Sequence, residues 1–180
     1  MDKRARRASL RAIRNAFPAQ PLPISAAFRD RLHRGQIVAT YSPVPGEPDP
    51  APFAQVALAA GCFLALPHVL DRATPIRFLA WAGEDLTPGP FGLANPHPHW
   101  AEVAPDIVLT PLVGFDRQGH RIGQGAGHYD RAFAAYPNAW RVGLAWSVQE
   151  MAALQPDPWD VPLHAIATEK EWIVPMRNRP

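Results

Sequence analysis

The sequence predicts an α/β fold built on a parallel sheet, and three observations carry that prediction. QIVATYS (36–42), PFAQVALAAG (52–61) and CFLALP (62–67) follow one another as strand, helix and strand, the order a parallel crossover produces. Two further apolar runs, DIVLTPLVGF (106–115) and RVGLAW (141–146), enclose a helical stretch and repeat the same alternation. The chain of 180 residues is long enough to bury a substantial core as one domain spanning 1–180.

Each element has its own local signal. DKRARRASLRAIRNAF (2–17) reads as the first helix, with Leu10, Ile13 and Phe17 on one apolar stripe. Lys3, Arg7 and Arg11 recur every four residues and share another face. Pro18 stops this helix, and Pro21 and Pro23 keep the chain extended. SAAFRDRLHRG (25–35) is expected to be a second helix, with Ser25 as N-cap and Gly35 just past its end.

After QIVATYS comes the turn SPVPGEPDP (42–50), and PIRFLAW (75–81) is expected as an antiparallel or edge strand. From Gly83 to Pro105 the chain is a long Pro-rich loop, a feature more often functional than idle in a compact domain. HYDRAFAAY (128–136) reads as a helix and RVGLAW as a strand. SVQEMAAL (147–154) reads as a short helix capped by Ser147, and LHAIATEKEWIV (163–174) as two short strands. Repeats and linkers are absent.

The formal charge of +2 conceals an uneven distribution. The first 17 residues carry six cations against Asp2, while the rest of the chain has a net charge of −3. A cationic N-terminal segment on a mildly acidic body suits a phosphate-bearing partner, although a solvated helix face would read the same way. Cys62 is the only cysteine, which fits a reducing compartment and a small buried hydrophobe. No apolar run approaches 18 residues and no secretory leader is recognisable, so a cytoplasmic protein without a membrane span is expected. An organellar transit peptide, suggested by the acid-free, Arg-bearing stretch 3–29, is weakened by its few Ser residues.

The stretch RIGQGAGHYDR (121–131) carries the chemistry. A strand, a turn with Gly123, Gly125 and Gly127, and then a helix start let backbone N–H groups converge where the helix adds partial positive charge. No GK[ST] ending is present, and the alternating glycines differ from G-x-G-x-x-G, so neither a Walker A loop nor the dinucleotide fingerprint fits. Such a loop is as often structural. Asp116 and Arg121 upstream and Tyr129, Asp130 and Arg131 downstream favour a phosphate site, because Mg²⁺ takes one or two carboxylates together with phosphate oxygens. A first-turn helix acid, or an ion pair with Arg131, is the alternative role for Asp130.

GPFGLANP (89–96), DIVLTPLVGFDRQGHRIGQGAGHYDR (106–131) and VGLAWSVQE…WDVPLHAIATE (142–169) resemble, in that order, the 5-formyltetrahydrofolate cyclo-ligase family, also called 5,10-methenyltetrahydrofolate synthetase. The resemblance covers nearly the whole chain. It implies an α/β, Rossmann-like three-layer single domain whose mostly parallel sheet is flanked by helices. It also implies ATP- and Mg²⁺-dependent conversion of 5-formyltetrahydrofolate to 5,10-methenyltetrahydrofolate, ADP and phosphate, in a monomer.

Carried onto this chain, the family's basic pair falls on Lys3 and Arg7, with Arg7 and Arg11 as the alternative register. Arg121, Ile122, Gly123, Gln124, Gly125, Ala126, Gly127, His128 and Tyr129 become the ATP loop. Folate contacts fall on Ser42, Glu47 and the part of that loop from Gln124 to His128. Arg121, Tyr129 and Asp130 take the catalytic roles, and Asp130 and Asp160 become Mg²⁺ ligands.

Asn95, Trp159 and His164 stand where the family carries other residues, and they motivate a second reading, a catalytically silent relative that binds nucleotide or folate. A third reading has the Arg-rich helix bind nucleic acid; the expectation here is no nucleic-acid partner. HPH (97–99), His120 and His128 lack zinc-site spacing, and no G-x-S-x-G elbow offers a nucleophile. Tyr41, Phe91, Trp100 and Tyr129 could wall a pterin, or could equally be packing residues.

Overall fold

A computed structural model describes residues 3–176. The chain order is α1 (Lys3–Ala16), α2 (Ala26–Arg29), β1 (Ile37–Ala39), α3 (Ala51–Ala59), β2 (Phe63–His68), β3 (Arg77–Trp81), β4 (Thr87–Pro88) and β5 (Ala94–Asn95). There follow β6 (Ile107–Pro111), β7 (Gly114–Phe115), β8 (Arg121–Ile122), α4 (His128–Ala135), β9 (Trp140–Leu144), β10 (Ala165–Ala167) and β11 (Trp172–Ile173). Short 3-10 turns occupy Pro90–Gly92 and Ser147–Gln149.

Among the described residues the main sheet has the order β11-β10-β9-β6-β1-β2-β3. Its five inner strands are parallel, and β3 and β11 close the two edges antiparallel. Side-chain alternation sorts the strands between two cores. Val38, Leu64, Ile107, Leu109 and Val142 pack with Phe28 of α2 and Phe53, Ala54 and Ala57 of α3. Ala39, Ala65, Val108 and Ile166 pack with Ala132 and Phe133 of α4. Strands buried on both faces read as continuous apolar runs for this reason. The result is a three-layer α/β arrangement with helices on both faces of a mostly parallel sheet.

From β1 the chain moves to β2 on one side and then to β6 on the other. The connections therefore diverge between β1 and β6, and in open α/β sheets that divergence leaves a crevice beyond the strands' carboxyl ends.

Several elements differ from expectation. In α1, Leu10 is buried but Ile13 is 44% exposed, while Arg14 turns inward with 3% exposure. Glu47 waits inside as its ion-pair partner, and a buried pair outweighs one isoleucine's preference. The second helix lasts only four residues, capped by the Ser25 hydroxyl on Ala27 N–H. The expected helix 147–154 is a single 3-10 turn whose N-cap is Trp146, not Ser147; the Ser147 hydroxyl is instead held by Glu169. The long loop after Gly83 contains the β4–β5 hairpin. No described helix is long and apolar enough to cross a membrane.

Candidate functional site

A cleft of about 680 Å³ opens where the connections diverge. Its floor is the carboxyl ends of the central strands: Tyr41 and Ser42 after β1, Pro67 and Val69 at the end of β2, and Pro111 of β6. One wall is the inward face of α1, with Arg6, Arg7, Arg11 and Arg14. The other is the chain from His120 to Asp130, with the segments 154–157 and 159–160 beside it.

The glycine loop is delivered by a hairpin. β7 pairs with β8, and Gly127, left-handed at φ 69°, ends the loop as the N-cap of α4. Gly125 is also left-handed, at φ 101°, and a Cβ there would lie 3.4 Å from the Arg7 guanidinium. Gly123 has neither constraint, since nothing lies within 4 Å of where its Cβ would be. The loop's backbone therefore faces the arginines of α1 directly. Arg11 donates to the Gln124 carbonyl at 3.4 Å. The Nε atoms of Arg6, Arg7 and Arg11 are buried without a hydrogen-bond partner, an arrangement that leaves cationic donors for an anion.

Arg7 and Arg11 thus meet the loop together. Lys3 opens α1, but its side chain lies outside the described residues.

Asp130 sits in the first turn of α4 and bonds Arg121, not Arg131. Arg121 is 5% exposed in its side chain and Asp130 23%. Arg121 also donates to the Val161 carbonyl, and its guanidinium lies 4.7 Å from the centroid of the Phe133 ring. Burial lowers the Arg121 pKa while Asp130 opposes that shift. Val161 N–H adds a 3.3 Å bond to the same Asp130 oxygen. Asp160 lines the cleft nearby, and its Oδ2 accepts Asp157 N–H at 2.8 Å.

Among the described residues no cluster of three or more metal-ligating side chains exists. Two cleft carboxylates without a third ligand fit a hard cation that takes its remaining oxygens from phosphate and water.

On the β1 side, Glu47 bonds Arg14 at 3.0 Å and the N–H of Val44 at 3.1 Å, and accepts from Gln124 at 3.4 Å. Its pKa is raised by burial, against the lowering effect of the Val44 N–H and of Arg14. Tyr41 donates to the Pro48 carbonyl, and burial followed by Glu47 pushes its phenol well up. Tyr129 is likewise held neutral by burial, leaving an apolar ring with a donor hydroxyl. Glu47 thus links the α1 wall, through Arg14, to the glycine loop, through Gln124. Trp159, exposed over 69% of its surface, lines the rim. Phe91 is a second exposed rim aromatic, and Trp100 is not among the lining residues.

Arg14 and Arg72 escaped the sequence reading, and Asp116 and Asn95 do other work than it gave them. Arg14 looked like one more solvated cation. Asp116, fully buried, accepts from the backbone of Gln118, His120 and Leu154 and meets the His120 ring at 2.9 Å. It thereby fixes the turn before β8 and the 154 segment. Arg72 reaches the cleft and lies over Phe91. Asn95 clamps Val69 through both amide atoms. A buried acid in F-D-x-x-G was the one available signal.

A model of the 5-formyltetrahydrofolate cyclo-ligase family matches residues 2–169. The chain is 29% identical over 152 residues to a protein of Mycolicibacterium smegmatis named 5-formyltetrahydrofolate cyclo-ligase, covering 79% of this chain and 78% of that one. A Haemophilus influenzae protein of the same name is 42% identical over 82 residues, 42% of this chain and 44% of its own length. The NMR structure of the Aquifex aeolicus 5,10-methenyltetrahydrofolate synthetase superposes with a TM-score of 0.66 at 27% identity, covering 100% of this chain and 88% of that one. A Mycoplasma pneumoniae synthetase shares the fold, with a TM-score of 0.65 at 24% identity over 92% of this chain and 98% of its own.

Proposed function

The chain belongs to the 5-formyltetrahydrofolate cyclo-ligase family, and from that premise we propose that it uses ATP and Mg²⁺ to cyclise 5-formyltetrahydrofolate to 5,10-methenyltetrahydrofolate, releasing ADP and phosphate. One observation supports this most. A single cleft holds unpartnered arginine Nε atoms and a bare glycine backbone next to two carboxylates, with a buried Glu and aromatic residues facing them.

A formamide carbonyl is a poor electrophile because its oxygen would have to leave as hydroxide. Transfer of the ATP γ-phosphoryl group to that oxygen makes it a phosphate ester and releases ADP. N10 then adds to the formyl carbon and loses its proton, and phosphate departs with the C–O electron pair. Arg7, Arg11 and the N–H groups of the Gly123–Gly127 loop would neutralise the phosphates, whose charge is costly in a cleft of low dielectric. Asp130 and Asp160 would hold Mg²⁺, which would supply positive charge against the phosphates. Arg121 would keep Asp130 aimed into the cleft. Ser42 and Glu47 would contact the folate, and Glu47 Oε2, which accepts only the Val44 N–H, has a lone pair to spare for a substrate N–H.

The departures at Asn95 and His164 have structural employment, on Val69 and Arg141, and neither removes a proposed ligand. A single domain over 1–180, a monomer and a cytoplasmic setting accompany this reading, the last supported by the free buried thiol of Cys62. The test is the near-ultraviolet absorbance of the methenyl product. Purified protein should raise it from 5-formyltetrahydrofolate only when ATP and Mg²⁺ are present. No ATP-dependent rise would leave the silent-relative reading in its place.

A further inference from the structure

The glycine loop, whose one long side chain is Gln124, needs support from outside to hold its shape. That support is a turn on another part of the chain. After β2, Asp71 accepts Ala73 N–H at 2.7 Å, Thr74 N–H at 2.7 Å and the Thr74 hydroxyl at 2.9 Å. These bonds make residues 71–74 a self-braced turn, and buried Val69 and Ile76 root it in the core.

Two tethers run from this region to the loop and one runs away from it. His128 Nε2 meets the Asp71 carbonyl at 2.8 Å. Arg131 donates to the Arg72 carbonyl at 2.9 Å and, with its other terminal nitrogen, to the loop carbonyl of Ala126 at 2.9 Å. On the far side Asn95 accepts Val69 N–H at 3.1 Å and donates to the Val69 carbonyl at 2.7 Å. Gly89 packs on that amide so closely that a Cβ there would come within 2.7 Å.

Arg131 spans two carbonyls and no carboxylate, and lies across Gly127, 3.1 Å from where its Cβ would be. A guanidinium used this way leaves its charge beside the loop without neutralising it.

We propose that Asn95 and Arg131 are positioning residues for nucleotide binding, acting through the 69–74 turn to preset the Gly123–Gly127 loop. The inference rests on the nucleotide reading given above. Asn95 fixes the root of the turn, and Arg131 transmits that position to Ala126. Because both act on Ala126 through one turn, removing either loosens that tether, although His128 still holds Asp71, and removing the second adds little. Independent sites would instead contribute additively in free energy.

The experiment is calorimetric titration of the full chain with magnesium ADP, for wild type, Arg131→Gln, Asn95→Asp and the double variant. Asn95→Asp keeps the acceptor for Val69 N–H and loses the donor to its carbonyl. Each single change should weaken binding on the order of ten-fold, and the double change well under one hundred-fold. With ATP as substrate the apparent KM should rise while kcat changes little, a split that general destabilisation would not produce. Single variants within two-fold of wild type, or effects that multiply in full, overturn the proposal. Should Asn95→Asp fail to fold, Arg131→Met decides alone: its side chain offers no donor to either carbonyl, so binding must weaken, and wild-type affinity would refute the role. If wild type itself binds no ADP, the nucleotide reading fails first, which distinguishes that failure from this one.

Discussion

Gly123 and Gly125 stand two residues apart, yet the structure demands glycine only at the second. Gly125 needs its left-handed φ of 101°, whereas Gly123 has no such φ and meets nothing within 4 Å. Gly123→Ala should therefore leave the melting temperature unchanged. If a phosphate approaches the backbone there, it should raise the KM for ATP about ten-fold; an unchanged KM would show that nothing comes that close. Asp130→Asn tests the neighbouring carboxylate. An amide oxygen still accepts from Arg121, so the fold should lose only about 1–3 kcal/mol in denaturant, while Mg²⁺-dependent turnover should fall on the order of a hundred-fold or more.

Glu47 supplies a pH signature. Its folded pKa lies above the ordinary 4.5, so near and somewhat above that pH the folded state binds more protons than the unfolded one. Stability from this group therefore falls as pH rises from about 4.5 through the raised value. Glu47→Gln should remove that component from denaturation measured across the interval. Glu47→Ala should cost about 3–5 kcal/mol, because it strands the buried Arg14.

At the scale of elements, α1 is a wall of the site first and an amphipathic helix second. Leu10 seats it, its Cδ1 lying 2.8 Å from where a Gly114 Cβ would stand. Gly114→Ala should push Leu10 and with it α1 outward, weakening ATP more than folate in KM measurements. Leu10→Ala should cost about 2–5 kcal/mol of stability. Ile13→Lys should cost less than about 0.5 kcal/mol, since Ile13 is 44% exposed. A periodic apolar stripe suggested the reverse weighting for Arg14 and Ile13, because periodicity does not register a buried carboxylate 33 residues away. The expected helix at 147–154 failed for a related reason. Gln149 spends its side chain on the carbonyls of Leu112 and Val113 and on Trp146 N–H, which ends the turn after three residues.

For the molecule as a whole, ligand linkage is the relevant scale. Magnesium ATP at about 100 times its Kd should stabilise the fold by roughly 2.7 kcal/mol, read as an upward shift in melting temperature. Chelation of Mg²⁺ should remove most of that gain if Asp130 and Asp160 hold the ion between protein and phosphates. A shift indifferent to chelator would take both aspartates out of metal binding.

By itself the sequence determined the alternation of strand and helix, an antiparallel or edge strand within 75–81, the glycine loop running into a helix, and the family. All of these are local patterns, read within a few residues or along one motif. Only the tertiary structure decided that Arg14 is buried on Glu47, that Asp130 answers Arg121 rather than Arg131, and that Asn95 and Arg131 brace the loop through a turn some fifty residues away. Those choices rest on contacts between segments distant in sequence. Burial selects them by requiring each enclosed charge and carbonyl to find a partner, and that requirement leaves no periodic trace in the chain.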